Sequence, residues 1–212
     1  RSVSRGLGDV YKRQTYCQIF AVDEIDLDRL DAAWGKVQKR HGMMRASVEE
    51  DGTQSIAPSS KIGHIERAEC ANSSEAKQQL EEIKRTVFAL AKPPLHRVVS
   101  ISWHEESGKQ TRLVFCFDYT VLDALSVMTV LAELAELYEN PGADLPGIGL
   151  TFRDFVVGHR RDGREVEEAE GYWRSRLPEL PPAPQLPLAA DPSTVGEGRF
   201  ERLWRTVAEL SL

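Results

Sequence analysis

The sequence is short of cysteine, of long apolar runs and of paired histidines. Its 3 Cys residues form no Cys-x-x-Cys pair, which zinc sites and dithiol redox sites commonly use, and its 5 His residues form no H-x-x-x-H or H-E-x-x-H pair. The cysteine spacing favours free thiols in a reducing compartment. No apolar run approaches the roughly 20 residues that cross a bilayer. We therefore predict no metal site, no membrane association and, as the default, a cytoplasmic location.

The sequence also lacks an excess of positive charge. It carries 27 Lys and Arg residues against 33 Asp and Glu residues, a formal net charge of -6. Nucleic acids and anionic membranes attract basic surfaces, so neither is expected as the main partner. With 41% apolar residues among 212, the chain can bury a core in one or two domains.

Residues 1–14 differ from the rest of the chain. The stretch RSVSRGLGDVYKRQ has neither helical nor strand periodicity. It resembles translated sequencing-adaptor sequence rather than part of a fold. We therefore predict a non-native or disordered leader and expect the true start of the protein to be missing.

From residue 15 onward, strand-like and helix-like patterns alternate. Residues 15–22 are apolar and short enough for a strand. Asp26 precedes an apolar stripe at helical spacing, which predicts a capped helix that Gly42 closes. Asp51-Gly52 predicts a hairpin turn between two short strands. A second helix is expected from Ser73 or Ser74 to Leu90, before two prolines stop it.

The second half of the chain continues the alternation. Two apolar segments, 95–103 and 111–118, predict a hairpin of buried strands, followed by a helix from Asp123 to Glu139. Two shorter helices, an extended proline-rich segment at 177–188 and a strand at 198–207 are expected after it. The pattern predicts an α+β fold with a mixed sheet flanked by helices. The predicted domains are a lobe at 15–177, a proline-rich linker at 178–197 and the start of a second, truncated lobe at 198–212.

Three polar residues stand where the second hairpin passes into the third helix. Asp118 ends the strand, Asp123 lies in the tight loop and Ser126 lies at the helix start. Such side chains can converge beside the free N–H groups of a helix N-terminus. Two carboxylates at that position more often cap the helix than catalyse a reaction. The residues alone leave both interpretations open.

The spacing Asp118-x4-Asp123-x2-Ser126 matches a D-x4-D-x2-S signature, and other motifs accompany it in a fixed order. Together they resemble the heterocyclization domains, a branch of the condensation-domain superfamily of nonribosomal peptide synthetases. The accompanying segments are LDAAW at 30–34, RHGMMR at 40–45, DGTQ at 51–54, TFRDFV at 151–156, YWRSRL at 172–177 and LPPAPQLPL at 180–188.

Ordinary condensation domains carry H-H-x-x-x-D-G in this loop. Matching the motifs places Asp118 and Tyr119 at the two histidines, Asp123 at the aspartate and Ala124 at the glycine. A tyrosine with an ordinary pKa of about 10 cannot replace an imidazole as a base near neutral pH. The resemblance therefore implies a heterocyclization domain or a degenerate homologue rather than a plain condensation domain.

The resemblance implies a chloramphenicol-acetyltransferase-like lobe. Its implied substrates are thioesters on the phosphopantetheine of upstream and downstream peptidyl carrier domains, with an adjoining adenylation domain and no directly bound cofactor or metal. The implied reaction joins an acyl group to Cys, Ser or Thr and closes a thiazoline or oxazoline ring with loss of water. Because the opposite lobe is absent, this chain alone is expected to be inactive.

Two alternatives stay open. The first is an ordinary or degenerate condensation or acyltransferase domain, which would form a linear amide but no ring. The second is a non-catalytic lobe that binds carrier domains without chemistry.

The resemblance implies roles for individual residues. Asp118, Asp123 and Ser126 are the candidate catalytic residues, with Asp118 the best candidate to contact substrate. Asp123 is expected to form a structural salt bridge with Arg45, and Ser126 to cap the helix or donate a hydrogen bond to the amide. His41 is expected to be a structural histidine at a helix end.

Overall fold

The computed structural model describes residues 15–22, 24–158, 163–182, 187 and 194. These residues form two compact units, one up to 158 and one from 163 onward. The predicted leader at 1–14 and the predicted strand at 198–207 lie outside the described residues. The domain boundaries proposed from the sequence stay a prediction.

The first unit combines strands and helices, with a 3₁₀ turn at Gly42–Arg45. Its elements are β1 (Thr15–Val22), α1 (Leu27–Arg40), β2 (Ala46–Val48), β3 (Gln54–Ile56), β4 (Glu66–Glu69), α2 (Ser73–Ile83), β5 (His96–Glu105), β6 (Gly108–Asp118), α3 (Ala124–Glu139) and α4 (Phe152–Gly158).

The second unit contains helix α5 (Gly163–Arg176) and a 3₁₀ turn at Leu177–Glu179. The predicted extended segment at 177–188 therefore begins with a helical turn instead.

The main sheet has the strand order β1-β6-β5-β4. Its first three strands are antiparallel, and β4 runs parallel to β5, so the sheet is mixed as predicted. The short strand β4 was not predicted from the sequence. A separate antiparallel pair, β2 and β3, forms the predicted hairpin, and Gly52 in its turn has a φ of +85°, a conformation that favours glycine.

Both faces of the central strands are buried, which explains their apolar composition. Along β6, Leu113, Phe115 and Phe117 pack with α1 and α3, whereas Val114 and Cys116 pack with α2 on the opposite face. Trp34 of α1 is 1% exposed and contacts the ring of Phe115 edge-on, with 5.9 Å between centroids. The core therefore consists of two apolar layers, one on each face of the sheet.

The caps and ends of α1 and α2 show which helix boundaries the local sequence pattern predicted correctly. Asp26 caps α1 as predicted, because its side chain accepts hydrogen bonds from two N–H groups of the first turn. Helix α2 is capped by Asn72 rather than by a serine, and it ends at Ile83, well before the predicted Leu90. The apolar residues beyond Ile83 continue the helical spacing, but Leu90 packs against the core from a loop.

The prediction that all cysteines are free thiols is wrong for Cys116, which is disulfide-bonded, whereas Cys70 is free. The β1–β6 register sets residue 17 directly across from residue 116, a proximity that sequence spacing could not show. Burial, and then the charge of Glu75, raise the pKa of the Cys70 thiol.

No helix in the described ranges is long and apolar enough to cross a membrane. Within the same ranges, no three His, Cys, Asp or Glu side chains are grouped as the ligands of a metal would be.

Candidate active-site cleft

A cleft of about 450 Å³ opens where strand β6 passes into helix α3. Its walls come from the β6–α3 loop, the first turns of α3, the residues that follow α1, and the first residue of α4. The lining residues are His41, Met43, Tyr119, Thr120, Val121, Leu122, Asp123, Leu125, Ser126, Thr129, Val130 and Phe152.

Asp118 shapes the loop at the end of β6. Its carboxylate Oδ1 accepts a hydrogen bond from the N–H of Thr120 at 2.8 Å, and its carbonyl accepts one from Val121 at 3.2 Å. Val121 and Leu122 then insert into the core, where each is buried. A short-range turn and two apolar anchors thus fix the loop against the sheet.

Asp123 and Ser126 lie together at the N-terminus of α3. The Oδ1 atom of Asp123 accepts a hydrogen bond from the backbone N–H of Ser126 at 2.8 Å, so Asp123 is the N-cap of the helix. Hydrogen bonds from the side chain and the backbone of Ser126 lower the pKa of Asp123. The carboxylate is exposed and ionised at neutral pH.

The predicted salt bridge between Arg45 and Asp123 is wrong. The guanidinium of Arg45 donates to the carbonyls of Gln38 and Lys39 in the last turn of α1, and its Nε donates to the carbonyl of Ala57 at 3.0 Å. Those helix carbonyls have no partner within the helix, and the negative end of the helix dipole attracts a cation. Within the described part of the chain, no ion pair joins Arg45 to Asp123.

The three predicted site residues are only partly brought together. Asp123 and Ser126 share the wall of the cleft. Asp118 is 6% exposed and is absent from the lining, with its carboxylate engaged by the backbone of the loop. Direct contact between Asp118 and a substrate therefore has no support from this geometry, and the catalytic roles of the three residues stay predictions.

A charged cluster borders the same cleft. The Nε2 atom of His41 lies 2.6 Å from Oε2 of Glu133, and both carboxylate oxygens of Glu133 lie 3.1 Å from Nε of Arg40. His41 and Glu133 are mostly buried, with 20% and 17% of their side chains exposed. The cluster joins the end of α1 to the middle of α3.

Sequence reasoning missed several lining residues. Thr129 lies three residues after Ser126 on α3, so helical spacing could have placed both hydroxyls on one face. His41 and Phe152 are far from the loop in sequence, and only the tertiary packing brings them to the cleft.

The model of the condensation-domain family matches residues 9–208 of this sequence. The chain belongs to the condensation-domain family of nonribosomal peptide synthetases. The relatives of this condensation domain include a phenyloxazoline synthase, MbtB, from Mycolicibacterium paratuberculosis, which is 31% identical over 198 residues. The pyochelin synthetase PchF from Pseudomonas aeruginosa is 30% identical over 192 residues.

These matches cover most of this chain but little of each relative. They include 85% of this chain and 16% of MbtB, and 84% of this chain and 10% of PchF. The condensation domain described here therefore spans less than a fifth of the curated relatives that it matches.

A solved structure supports the fold. The cyclization–docking bidomain of the EpoB synthetase from Sorangium cellulosum superposes with a TM-score of 0.75 and 31% identity, over 85% of this chain and 37% of that chain. The predicted α+β lobe of the condensation-domain type is thus confirmed.

Proposed function

We propose that this chain is the N-terminal lobe of a heterocyclization domain within a longer nonribosomal peptide synthetase. The domain would join a carrier-bound acyl thioester to the amine of a carrier-bound Cys, Ser or Thr, and then close a thiazoline or oxazoline ring. The carrying observation is that the D-x4-D-x2-S residues form the loop and helix start beside the cleft, where an ordinary condensation domain has its histidine motif. Relatives named for oxazoline synthesis and cyclization support it.

The proposed reaction has two stages. In the first, the amine attacks the thioester carbonyl, a C–N bond forms and the carrier thiol leaves. In the second, the side-chain thiol or hydroxyl adds to the new amide carbonyl, and water leaves to give the ring. Both stages move protons between positioned groups, which is a task for carboxylates, hydroxyls and imidazoles near neutral pH.

In the proposed reaction, the residues at the cleft have different roles. The ionised carboxylate of Asp123 can accept a hydrogen bond from the attacking group, and the hydroxyl of Ser126 can donate one to the amide oxygen. Asp118 would be a positioning residue, since it holds the turn that presents Asp123. The second lobe of the parent domain would complete the cleft.

The proposal includes partners and a location. The substrates would arrive on the phosphopantetheine arms of upstream and downstream carrier domains, and an adjoining adenylation domain would load one of them. We place the parent enzyme in the cytoplasm, where its activated amino acids are made.

The test uses the intact synthetase that contains this chain, with acyl and aminoacyl groups loaded on its carriers. Mass spectrometry of the released product should show a species lighter than the linear amide by one water. Asp123→Asn and Ser126→Ala should lose the ring-forming stage. The matched control is Asp26→Asn, which alters an equivalent helix cap outside the cleft. A wild-type enzyme that releases only linear amide would contradict heterocyclization and favour an ordinary condensation domain.

A non-catalytic carrier-binding lobe is the second candidate. It is favoured by one observation: the carboxylates of Asp118 and Asp123 both accept backbone hydrogen bonds that stabilise the loop. Carrier domains that bind the intact parent while neither amide nor ring forms would support this candidate over the enzymatic one.

A further inference from the structure

The cleft contains an imidazole that does not come from the signature loop. His41 lines the cleft, and so does Tyr119, the residue that stands where an ordinary condensation domain has its second histidine. The loop from 118 to 126 has no histidine of its own. His41 comes to the cleft from a different part of the chain, since it directly follows the last residue of α1.

The partners of His41 favour one arrangement of its protons. The carboxylate of Glu133 lies 2.6 Å from Nε2, and a carboxylate accepts hydrogen bonds, so Nε2 carries a proton. In the neutral ring, Nδ1 is then the unprotonated atom and can accept a proton. A carboxylate that fixes the tautomer of a histidine is a recurrent way to orient a catalytic base.

The charges around His41 are nearly balanced. From α1, Nε of Arg40 donates to both oxygens of Glu133 at 3.1 Å and places a positive charge beside that carboxylate. From α3, Glu133 contributes the negative charge. Besides His41, the ionisable groups of the cleft lining are Asp123 and Tyr119. Arg45 contacts His41 only through its backbone carbonyl, at 3.5 Å.

We propose that His41 is a catalytic base of the amide-forming stage and that Glu133 is the positioning residue that orients it. This inference rests on the proposed condensation reaction. Nδ1 of His41 removes the proton from the amine as the C–N bond forms and the C–S bond of the thioester breaks. The imidazolium then gives that proton to the leaving thiolate of the phosphopantetheine arm, which departs as a thiol, and His41 is neutral again.

The first experiment compares three variants of the intact synthetase in a carrier-bound amide-forming assay. His41→Gln keeps an N–H that can donate to Glu133 but has no base, so amide formation should slow about 100-fold or more at saturating carrier, with KM unchanged. The acid limb of the pH–rate profile should disappear in this variant. Glu133→Gln should show a smaller loss of kcat. The matched control is His64→Gln, since His64 also pairs with a carboxylate, Asp31 at 2.8 Å, but lies outside the cleft lining.

A second measurement separates catalysis from packing. In His41→Ala, added imidazole should restore part of the amide-forming rate, because a free base can occupy the vacated space; a purely structural His41 would give no rescue. Equal rates in His41→Gln and wild type, or a loss of rate with neither rescue nor a changed pH profile, would overturn the role of His41.

A wild-type enzyme that forms amide but no ring would overturn heterocyclization and leave the His41 result standing, whereas one that forms no amide would overturn both.

Discussion

The centre of the sheet and the loop that follows it are adjacent in sequence but are stabilised by different forces. Strand β6 is held by apolar packing on both faces, with Val114 and Phe117 fully buried. The loop from 118 to 126 is held by the turn at Asp118, by the helix cap at Asp123 and by the buried side chains of Val121 and Leu122. Substitutions in the centre of the sheet should therefore lower the stability of the fold strongly. Substitutions of polar residues in the loop should leave the fold intact.

Asp118 and Asp123 show the same contrast within the loop. Each accepts one backbone hydrogen bond at 2.8 Å, yet Asp118 is buried at the strand end and Asp123 is exposed at the cleft. Truncating the buried Asp118 removes packed atoms as well as an acceptor, whereas at the exposed Asp123 water can replace the lost acceptor. Identical contacts thus predict different consequences for stability.

The largest effect should come from the sheet side of this comparison. Trp34→Ala should destabilise the chain by about 3–5 kcal/mol, because it removes a fully buried indole that packs against Phe115. Urea unfolding followed by circular dichroism measures the loss. The matched control is Trp173→Ala, since Trp173 is 57% exposed and its loss should change stability by less than about 0.5 kcal/mol. Equal losses in the two variants would contradict the assigned core.

The next effect concerns a buried histidine in the same layer. Burial lowers the pKa of His96 to about 4, although a backbone hydrogen bond to Met44 raises it in part, and the ring packs edge-on against Trp34 at 5.1 Å. Between pH 6.5 and 4 the unfolded chain binds a proton that the folded chain excludes. His96 therefore contributes stability that is fully present above pH 6.5 and is lost as the pH falls toward 4, by about 3 kcal/mol.

Denaturant unfolding at pH 7 and at pH 4.5 tests the contribution of His96. His96→Phe should flatten the difference between the two pH values, whatever its own stability at pH 7. His104→Gln, which alters an exposed histidine on the same strand, should retain the full difference. An unchanged pH dependence in His96→Phe would show that other groups cause it.

Local signals predicted much of this fold, and tertiary contacts decided what they missed. The cap at Asp26, the turn at Gly52 and the buried central strands each depend on a few neighbouring residues, so the sequence pattern could identify them. The end of α2 depended on packing, because loop residues beyond Ile83 fill the core at nearly helical spacing. The parallel strand β4 and the β1–β6 register arise from long-range pairing that no local pattern encodes.

The sequence likewise predicted part of the candidate site, namely the position of the loop, but not the partners of its residues. The motif spacing located the loop and its two cleft-facing polar residues, Asp123 and Ser126. It could not show that Arg45 would donate to the carbonyls at the end of the preceding helix, α1, or that Glu133 would contact His41, because both pairings depend on how α1 is placed. A motif therefore identifies which residues lie near the chemistry, whereas their partners have to be read from the packed structure.

A smaller effect is expected at the buried acid of the loop. Asp118→Ala should cost about 0.5–1.5 kcal/mol, since the partly buried hydrogen bond from the N–H of Thr120 is lost at the end of β6. Asp118→Asn keeps an oxygen acceptor and should recover most of that loss. Thermal unfolding of the two variants measures the difference. If Asp118→Ala were as stable as wild type, the turn would not depend on this hydrogen bond.

The smallest effect on stability should come from Asp123, although the proposed function gives it a large effect on the reaction. Asp123→Asn keeps a side-chain acceptor for the N–H of Ser126, so its melting temperature near pH 7 should stay close to that of wild type, with Asp123→Ala slightly lower. Hydrogen bonds from Ser126 hold the pKa of Asp123 below its ordinary value of 3.8, so the ionised cap adds stability above that pH and loses it as the pH falls further. The asparagine variant should lack this acid-dependent contribution, which melting curves from pH 5 to pH 2.5 can measure.

A variant that is as stable as wild type yet fails to close the ring would show that Asp123 acts in the reaction. A proportional loss of stability and activity would show that Asp123 acts only as a helix cap.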